Sequence, residues 1–367
     1  MINLATSRML VIAILCLLFP QGAKSGQRIV LTEDGTAYLS KENFSPWDQH
    51  TLLDEYSKLF RYDPKTNIPT LFILLPDYQK CNGVQNISID PTGQKLAFDI
   101  YCELPDKLKK PNQGDFERIS VIDIKTREII INLDHGCRFA FSPLGDAIVF
   151  VNDYPGSSGG EGAPPPGYKP GIFIYNFNSK IKTEISSPVG TCSFNWSGHD
   201  GNIYFTDSTQ HIFRYDVSKG QGSLVPYKGI YFSPDGKYNI WDFDSGDRDD
   251  VDAYPHIYRL SDQKKMTEWT NLILKKSGQW PPPKSSRPSM DFKFFCEKLE
   301  SAVFSANEMN FIFDLSKGSI IGKFSGSIIG TNADGSLVLI NPIKADNPQQ
   351  IDHSQVKIIN LLDLIKK

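Results

Sequence analysis

The sequence predicts an all-β fold, a single β-propeller of four-stranded blades, with seven blades expected and six or eight as the alternatives. Three observations predict it. One hairpin recurs along the chain, each copy is followed by a second hairpin with its own signature, and no helical pattern is read between them.

The clearest copy of the first hairpin is residues 229–245, GIYFSPDGKYNIWDFDS. An apolar strand ends at Phe232, Ser233-Pro234-Asp235-Gly236 makes a tight turn, and a second strand runs from Lys237 to Trp241. Pro234 presets φ at the start of the turn, and Gly236 supplies the positive φ that its end requires. Further copies are ISIDPTGQKLAFD from Ile87, FAFSPLGDAIVFV from Phe139, FNWSGHDGNIYFTD from Phe194 and IIGTNADGSLVLIN from Ile328, with RIVLTEDGTAYLS from Arg28 a weaker one. In one unit the hairpin is degenerate, DFKFFCEKLESAVFS, with Glu297 to Glu300 as the turn. These hairpins supply strands A and B of each blade.

Strands C and D come from the second hairpin. Its copies start at Lys58, Glu117, Gly171, His211, His256 and Asn310, each an alternating strand that ends in a Lys/Ser/Asp turn. Units therefore begin near residues 27, 84, 136, 190, 228, 291 and 326. The last supplies A, B and a strand C from Gln355 to Asp363, with hardly a D strand, as expected of a ring closed by its own N-terminus. Nothing resembles the polar cap of a solenoid.

Residues 1–25 are read apart from the fold, as a secretory signal peptide; residues 26–367 form the propeller domain. Arg8 is followed by an apolar run from Met9 to Phe19 and a small-residue Ala23-Lys24-Ser25 site. That run is shorter than the roughly 20 residues a bilayer span takes, so no membrane span is expected in the mature chain. The expected location is secreted or periplasmic. With 39 Lys and Arg against 42 Asp and Glu, the formal net charge is −3, without the basic excess of a nucleic-acid binder.

FSPDGKYNIWDF at Phe232 and its copies resemble the TolB-type, WD40-like propeller repeat common in periplasmic and secreted bacterial proteins. The resemblance covers nearly all of residues 27–366 and implies a binding scaffold. Trp241-Asp242 follows strand B instead of closing strand C, which departs from the true WD40 pattern. The repeat takes up nearly all of residues 27–366, so no room is read for a hydrolase domain joined to the propeller.

Loop lengths carry the functional reading. A–B and C–D turns open on one face of a blade, B–C and D–A loops on the other. The long segments are the B–C loops Lys41 to Tyr56, Glu103 to Phe116, Asp153 to Pro170, Asp244 to Tyr254 and Asn341 to Ser354, and the D–A loop Asn271 to Met290. All lie on one rim, and loops carry function on a rigid scaffold. A protein, peptide or glycan ligand on that rim is the first reading. An enzyme using the channel mouth, a hydrolase or lyase with carboxylates and Ca²⁺, is the alternative. Candidate contacts are Tyr154 and Tyr168 in a Gly/Pro-rich flap and Trp280 beside a proline run, the last either a contact anchor or part of a lid over the blade junction.

Asp247, Asp249 and Asp252 join Asp242, Asp244 and Asp250 in one acidic loop. The latter three occupy first, third and ninth positions of a D-x-D-x-D-G-x-x-D Ca²⁺ loop, but Gly246 replaces the fifth ligand and Asp247 the glycine. A solvated acidic loop is therefore read ahead of a Ca²⁺ site, and no other cofactor is expected. Cys81 begins strand A of its blade and Cys102 ends strand B, within a couple of residues of register, so a disulfide there is sterically reasonable. Cys296 lies in an apolar run and reads as buried. No histidine spacing suits zinc, and Asn43, Asn86 and Asn195 head N-x-S sequons.

Overall fold

A computed structural model of the chain describes residues 29–31, 37–40, 58–63, 68–74, 81–102, 116–134, 136–152, 169–186, 194–206, 211–241, 255–279, 290–307, 309–332, 334–341 and 357–366. Blade 1 holds β1 (Ile29–Leu31), β2 (Ala37–Ser40), β3 (Lys58–Asp63) and β4 (Ile68–Leu74). Blade 2 holds β5 (Cys81–Ile89), β6 (Lys95–Cys102), β7 (Phe116–Asp123) and β8 (Ile129–Asp134). Blade 3 holds β9 (Gly136–Phe141), β10 (Ala147–Asn152), β11 (Gly171–Asn176) and β12 (Ile181–Ser186). Blade 4 holds β13 (Phe194–Trp196), β14 (Ile203–Thr206), β15 (Ile212–Asp216) and β16 (Gln221–Val225). Blade 5 holds β17 (Tyr231–Phe232), β18 (Tyr238–Trp241), β19 (His256–Arg259) and the short β20 (Lys264–Lys265), followed by helix α1 (Thr267–Lys276). Blade 6 holds β21 (Met290–Cys296), β22 (Ser301–Ala306), β23 (Met309–Asp314) and β24 (Ser319–Ser325). A terminal sheet holds β25 (Ser327–Thr331), β26 (Leu337–Asn341) and β27 (Lys357–Asn360), and helix α2 (Leu361–Ile365) follows it.

The fold is an all-β propeller of antiparallel blades. Six sheets have four strands, not seven, because the terminal sheet has three among the described residues. Strand β1 lies beside β5 of blade 2 and β25 of the terminal sheet. The expectation of no helices is corrected by α1 and α2. The first begins inside the segment expected as strand D and loop, and the second takes over from strand C at Leu361.

Core packing follows from the two-residue period of strands. Along β6, Leu96, Phe98 and Ile100 pack with Leu59 and Phe72 of blade 1, whereas Ala97 packs toward blade 3. Along β10, Ile148 and Phe150 face Ile119 and Val121 of blade 2, whereas Val149 and Val151 face Phe194 and Trp196 of blade 4. A central strand is thus buried on both faces, which is why AIVFVN reads as a continuous apolar run. Each fully buried large side chain contributes about 1.5–3 kcal/mol by removal from water.

The A–B turns explain the recurring hairpin. The first turn residue is buried, and its side-chain oxygen accepts the amide five residues on: Asp90 from Lys95 at 2.6 Å, Ser142 from Ala147 at 3.1 Å, Ser233 from Tyr238 at 3.0 Å and Asn332 from Leu337 at 2.8 Å. Gly236 has φ +66°, as its turn type demands. It also meets a neighbour, since a Cβ there would lie 2.1 Å from His199 Nε2 in the turn of blade 4.

Candidate functional site

The rim carrying the B–C connections is built on the ends of strands B and the starts of strands C. Asn152 closes β10, is 6% exposed, and its Nδ2 donates to the Lys169 carbonyl at 2.7 Å. This one bond ties together the two ends of the Gly/Pro-rich segment. In blade 5, Trp241 at the end of β18 stands opposite buried His256 at the start of β19. Those residues form the base of the acidic loop. His256 meets Tyr258 edge-on at a ring separation of 6.3 Å.

Helix α1 ends beside the β22–β23 turn on the same rim. Trp269 near its start meets Tyr238 at a ring separation of 5.0 Å and Phe313 at 5.4 Å, both tilted, so it sits between blades 5 and 6. Ile273 and Leu274 are fully buried in that junction. At the far end the Ser277 carbonyl accepts from Asn307 Nδ2 at 3.3 Å, next to the β22–β23 turn. Ten residues at about 1.5 Å rise cross the blade as a five-residue strand would. The chain leaves this anchored end at Gln279, one residue before Trp280.

Sequence reasoning missed α1, although its signal was present. Trp269, Leu272 and Ile273 follow helical spacing, Glu268 lies in the first turn, and Lys275 and Lys276 lie in the last. The expected D strand overrode it.

On the opposite face, charged turn residues pair with one another. Lys237 pairs with Asp235 at 3.1 Å, Lys219 with Asp216 at 2.9 Å, Lys317 with Asp314 at 2.9 Å, and Arg259 Nη2 with Asp262 at 2.6 Å. Hydrogen bonds from Ser218 and Lys219 hold Asp216 well below the usual carboxylate range, and those from Arg259 bring Asp262 to about 2. Burial raises Tyr204, and its hydrogen bond to Asp200 at 2.7 Å raises it further. Asp200 itself is lowered: burial pushes it up, but hydrogen bonds from Tyr204 and Asn202 outweigh that. Cys296 is fully buried as expected, and burial lifts its thiol to about 11, which excludes it as a nucleophile at neutral pH.

Of the candidate rim residues, Tyr154, Tyr168, Trp280, Asp242, Asp244, Asp247, Asp249, Asp250 and Asp252 lie outside the described residues. Among the described residues no group of three or more His, Cys, Asp or Glu is placed to hold a metal ion. Among them, too, no helix is long and apolar enough to cross a membrane. Cys81 and Cys102 are direct backbone partners across β5 and β6, closer in register than expected. Asn195 donates from Nδ2 to the Ile230 carbonyl at 3.0 Å, so that sequon's amide is engaged inside the fold.

No protein-family model and no curated protein matches the chain. Solved structures do match. A chain of the mitotic checkpoint complex aligns at TM-score 0.51 and 7% identity, covering 94% of this chain and 92% of that one. Hydrazine synthase of Kuenenia stuttgartiensis aligns at TM-score 0.50 and 12% identity, covering 94% and 96%. TolB from Acinetobacter baumannii aligns at TM-score 0.38 and 14% identity, covering 84% of this chain and 58% of that one. At these identities the likeness is one of fold alone. One neighbour belongs to a protein assembly and another is an enzyme, so fold does not choose between binding and catalysis.

Proposed function

We propose that the chain is a secreted or periplasmic propeller, seven-bladed with the terminal sheet counted, that binds a protein, peptide or glycan through its B–C rim and performs no chemistry. The contrast between the two faces carries this reading. One face is built from short turns with buried anchors and paired charges. The long connections all leave from the other. Evolved variation placed on one side of a rigid ring is how scaffolds present binding loops. The tether from Asn152 to Lys169 and the anchoring of α1 beside Trp280 support it, because each fixes the base of a loop that carries a candidate aromatic contact. Closure of the ring is supported by the proximity of β1 and β25.

The test is binding of the purified full chain to synthetic peptide and glycan arrays. Trp280→Ala, or a joint Tyr154→Ala and Tyr168→Ala change, is expected to weaken the array ligand about tenfold or more. Lys237→Ala on the opposite face should leave it unchanged. Absence of any array ligand, or its survival in both rim variants, overturns the reading. Turnover of a polysaccharide panel would favour the lyase or hydrolase alternative. Export is checked separately by intact mass, with the mature chain starting near Gly26; a chain retaining Met1 contradicts it.

A further inference from the structure

The backbone register of blade 2 places two cysteines face to face where its innermost hairpin is least regular. Cys81 is the first residue of β5 and Cys102 the last of β6, and they are Cα partners. Directly opposed residues of an antiparallel pair have Cα atoms about 4.5 or 5.5 Å apart, and both spacings suit a disulfide. Between this pair and the regular ladder the register shifts twice, between Cys81 and Val84 and between Val84 and Asn86. Such bulges leave residues unpaired and bend the strand. The hairpin therefore reaches the rim with few ladder bonds to hold its ends together, at the start of the connection from residue 103 to 115. Cys137, the second residue of β9, stands at the same rim end of the adjoining blade, and β9 lies beside both β5 and β6.

We infer that Cys81 and Cys102 form a disulfide that staples the rim end of blade 2, with Cys137 left as a thiol. A thiolate of the pair attacks glutathione disulfide, forming a mixed disulfide and releasing one glutathione thiol. The second thiolate attacks the protein sulfur of that mixed disulfide and releases the second glutathione. Two protons and two electrons thus pass from the pair to one glutathione disulfide, which leaves as two glutathione thiols. The staple fixes the base of one B–C connection, independently of what that rim binds.

The test is non-reducing peptide mapping of the full chain after equilibration in a glutathione redox buffer, with free thiols alkylated. Peptides bearing Cys81 and Cys102 are expected linked, about 2 Da lighter than their reduced sum. Cys81→Ser should expose Cys102 to alkylation, and Cys137→Ser should leave the link intact. Linkage of either cysteine to Cys137, or alkylation of both in the oxidising buffer, overturns the pairing. Reductant should lower the melting midpoint of the wild-type chain by about 4 °C and leave the Cys81→Ser, Cys102→Ser double variant unmoved. A wild-type melt indifferent to reductant overturns the stapling role. Because the oxidant is supplied in the buffer, the result does not depend on export, so failure of the signal-peptide reading would be seen separately.

Discussion

Blades 2 to 4 on the one hand, and blade 5 and the terminal sheet on the other, finish their outer walls in different ways. The first group ends in strands β8, β12 and β16, whose Ile129, Ile181 and Leu224 stand 42%, 59% and 60% exposed. These are edge strands, and on β12 the charged side chains Lys182 and Glu184 blunt the edge. Lys182 lies over the Phe173 ring at 4.1 Å, and desolvation lowers its pKa. In the second group the outermost strand is cut to two residues in blade 5 and is not found among the described residues of the terminal sheet. Helices follow instead, and their Ile273, Leu274 and Leu361 are completely buried. The difference teaches what a blade needs. A fourth strand adds ladder bonds at an edge already open to water, whereas the wedge between diverging blades must be filled with apolar side chains. A helix fills that wedge as well as a strand does.

The comparison predicts its largest contrast at Ile273 and Ile181. Ile273→Ala should cost about 3 kcal/mol of unfolding free energy, the usual loss for a buried aliphatic side chain. Ile181→Ala, on an exposed edge, should stay within about 0.5 kcal/mol. Denaturant unfolding checks both, and equal losses would break the contrast.

A matched pair of glycines sharpens it. Gly220 and Gly318 end equivalent C–D turns with φ +67° and +64°, and each amide bonds back to the aspartate four residues earlier. A Cβ on Gly220 would meet only Tyr215 Oη at 3.7 Å, while one on Gly318 would lie 2.6 Å from Trp269 Nε1 of α1. Both alanine variants pay the left-handed backbone cost of about 1–2 kcal/mol. Gly318→Ala should lose about 1–3 kcal/mol more by overpacking. Adding Trp269→Ala should abolish that excess, and thermal melts of the double variant decide it.

Smaller effects follow from the same turns. Lys180 holds the equivalent position in blade 3 at φ +59°, so Lys180→Gly should stabilise by up to about 1 kcal/mol. Asp262 has a folded pKa lowered to about 2. Its contribution is therefore present above the ordinary carboxylate pKa of about 3.9 and is lost as pH falls through about 2. Acid melts should show a slope in that window that Asp262→Asn flattens. For the acidic loop, a solvated patch predicts a melt unchanged by millimolar Ca²⁺ at physiological salt. A bound ion at a hundred times its Kd would instead add about 2.7 kcal/mol, reduced in Asp244→Asn.

Much of the fold was legible because its signals are local. Ser233 and Gly236 announce their turn through chemistry within four residues, and the amide bonds of that turn close on the same stretch. The run AIVFVN of β10 states that both its faces are buried, without naming what covers them. The candidate site was legible only as a direction: loop lengths point to one rim. The tether between Asn152 and Lys169 spans seventeen residues, and no local pattern marks it.

Sequence alone determined the repeat, the order of strands within each blade and the face that carries the long connections. Each of these depends on neighbours within one hairpin. Tertiary structure decided what fills each wedge, because that depends on surfaces brought together from different blades. TEWTNLILKK had helical spacing throughout, yet only the gap between blades 5 and 6 gives Ile273 and Leu274 an apolar surface to bury against. The same holds for Gly318, whose positive φ the turn requires locally, while the Trp269 indole that rests against it comes from another blade's connection.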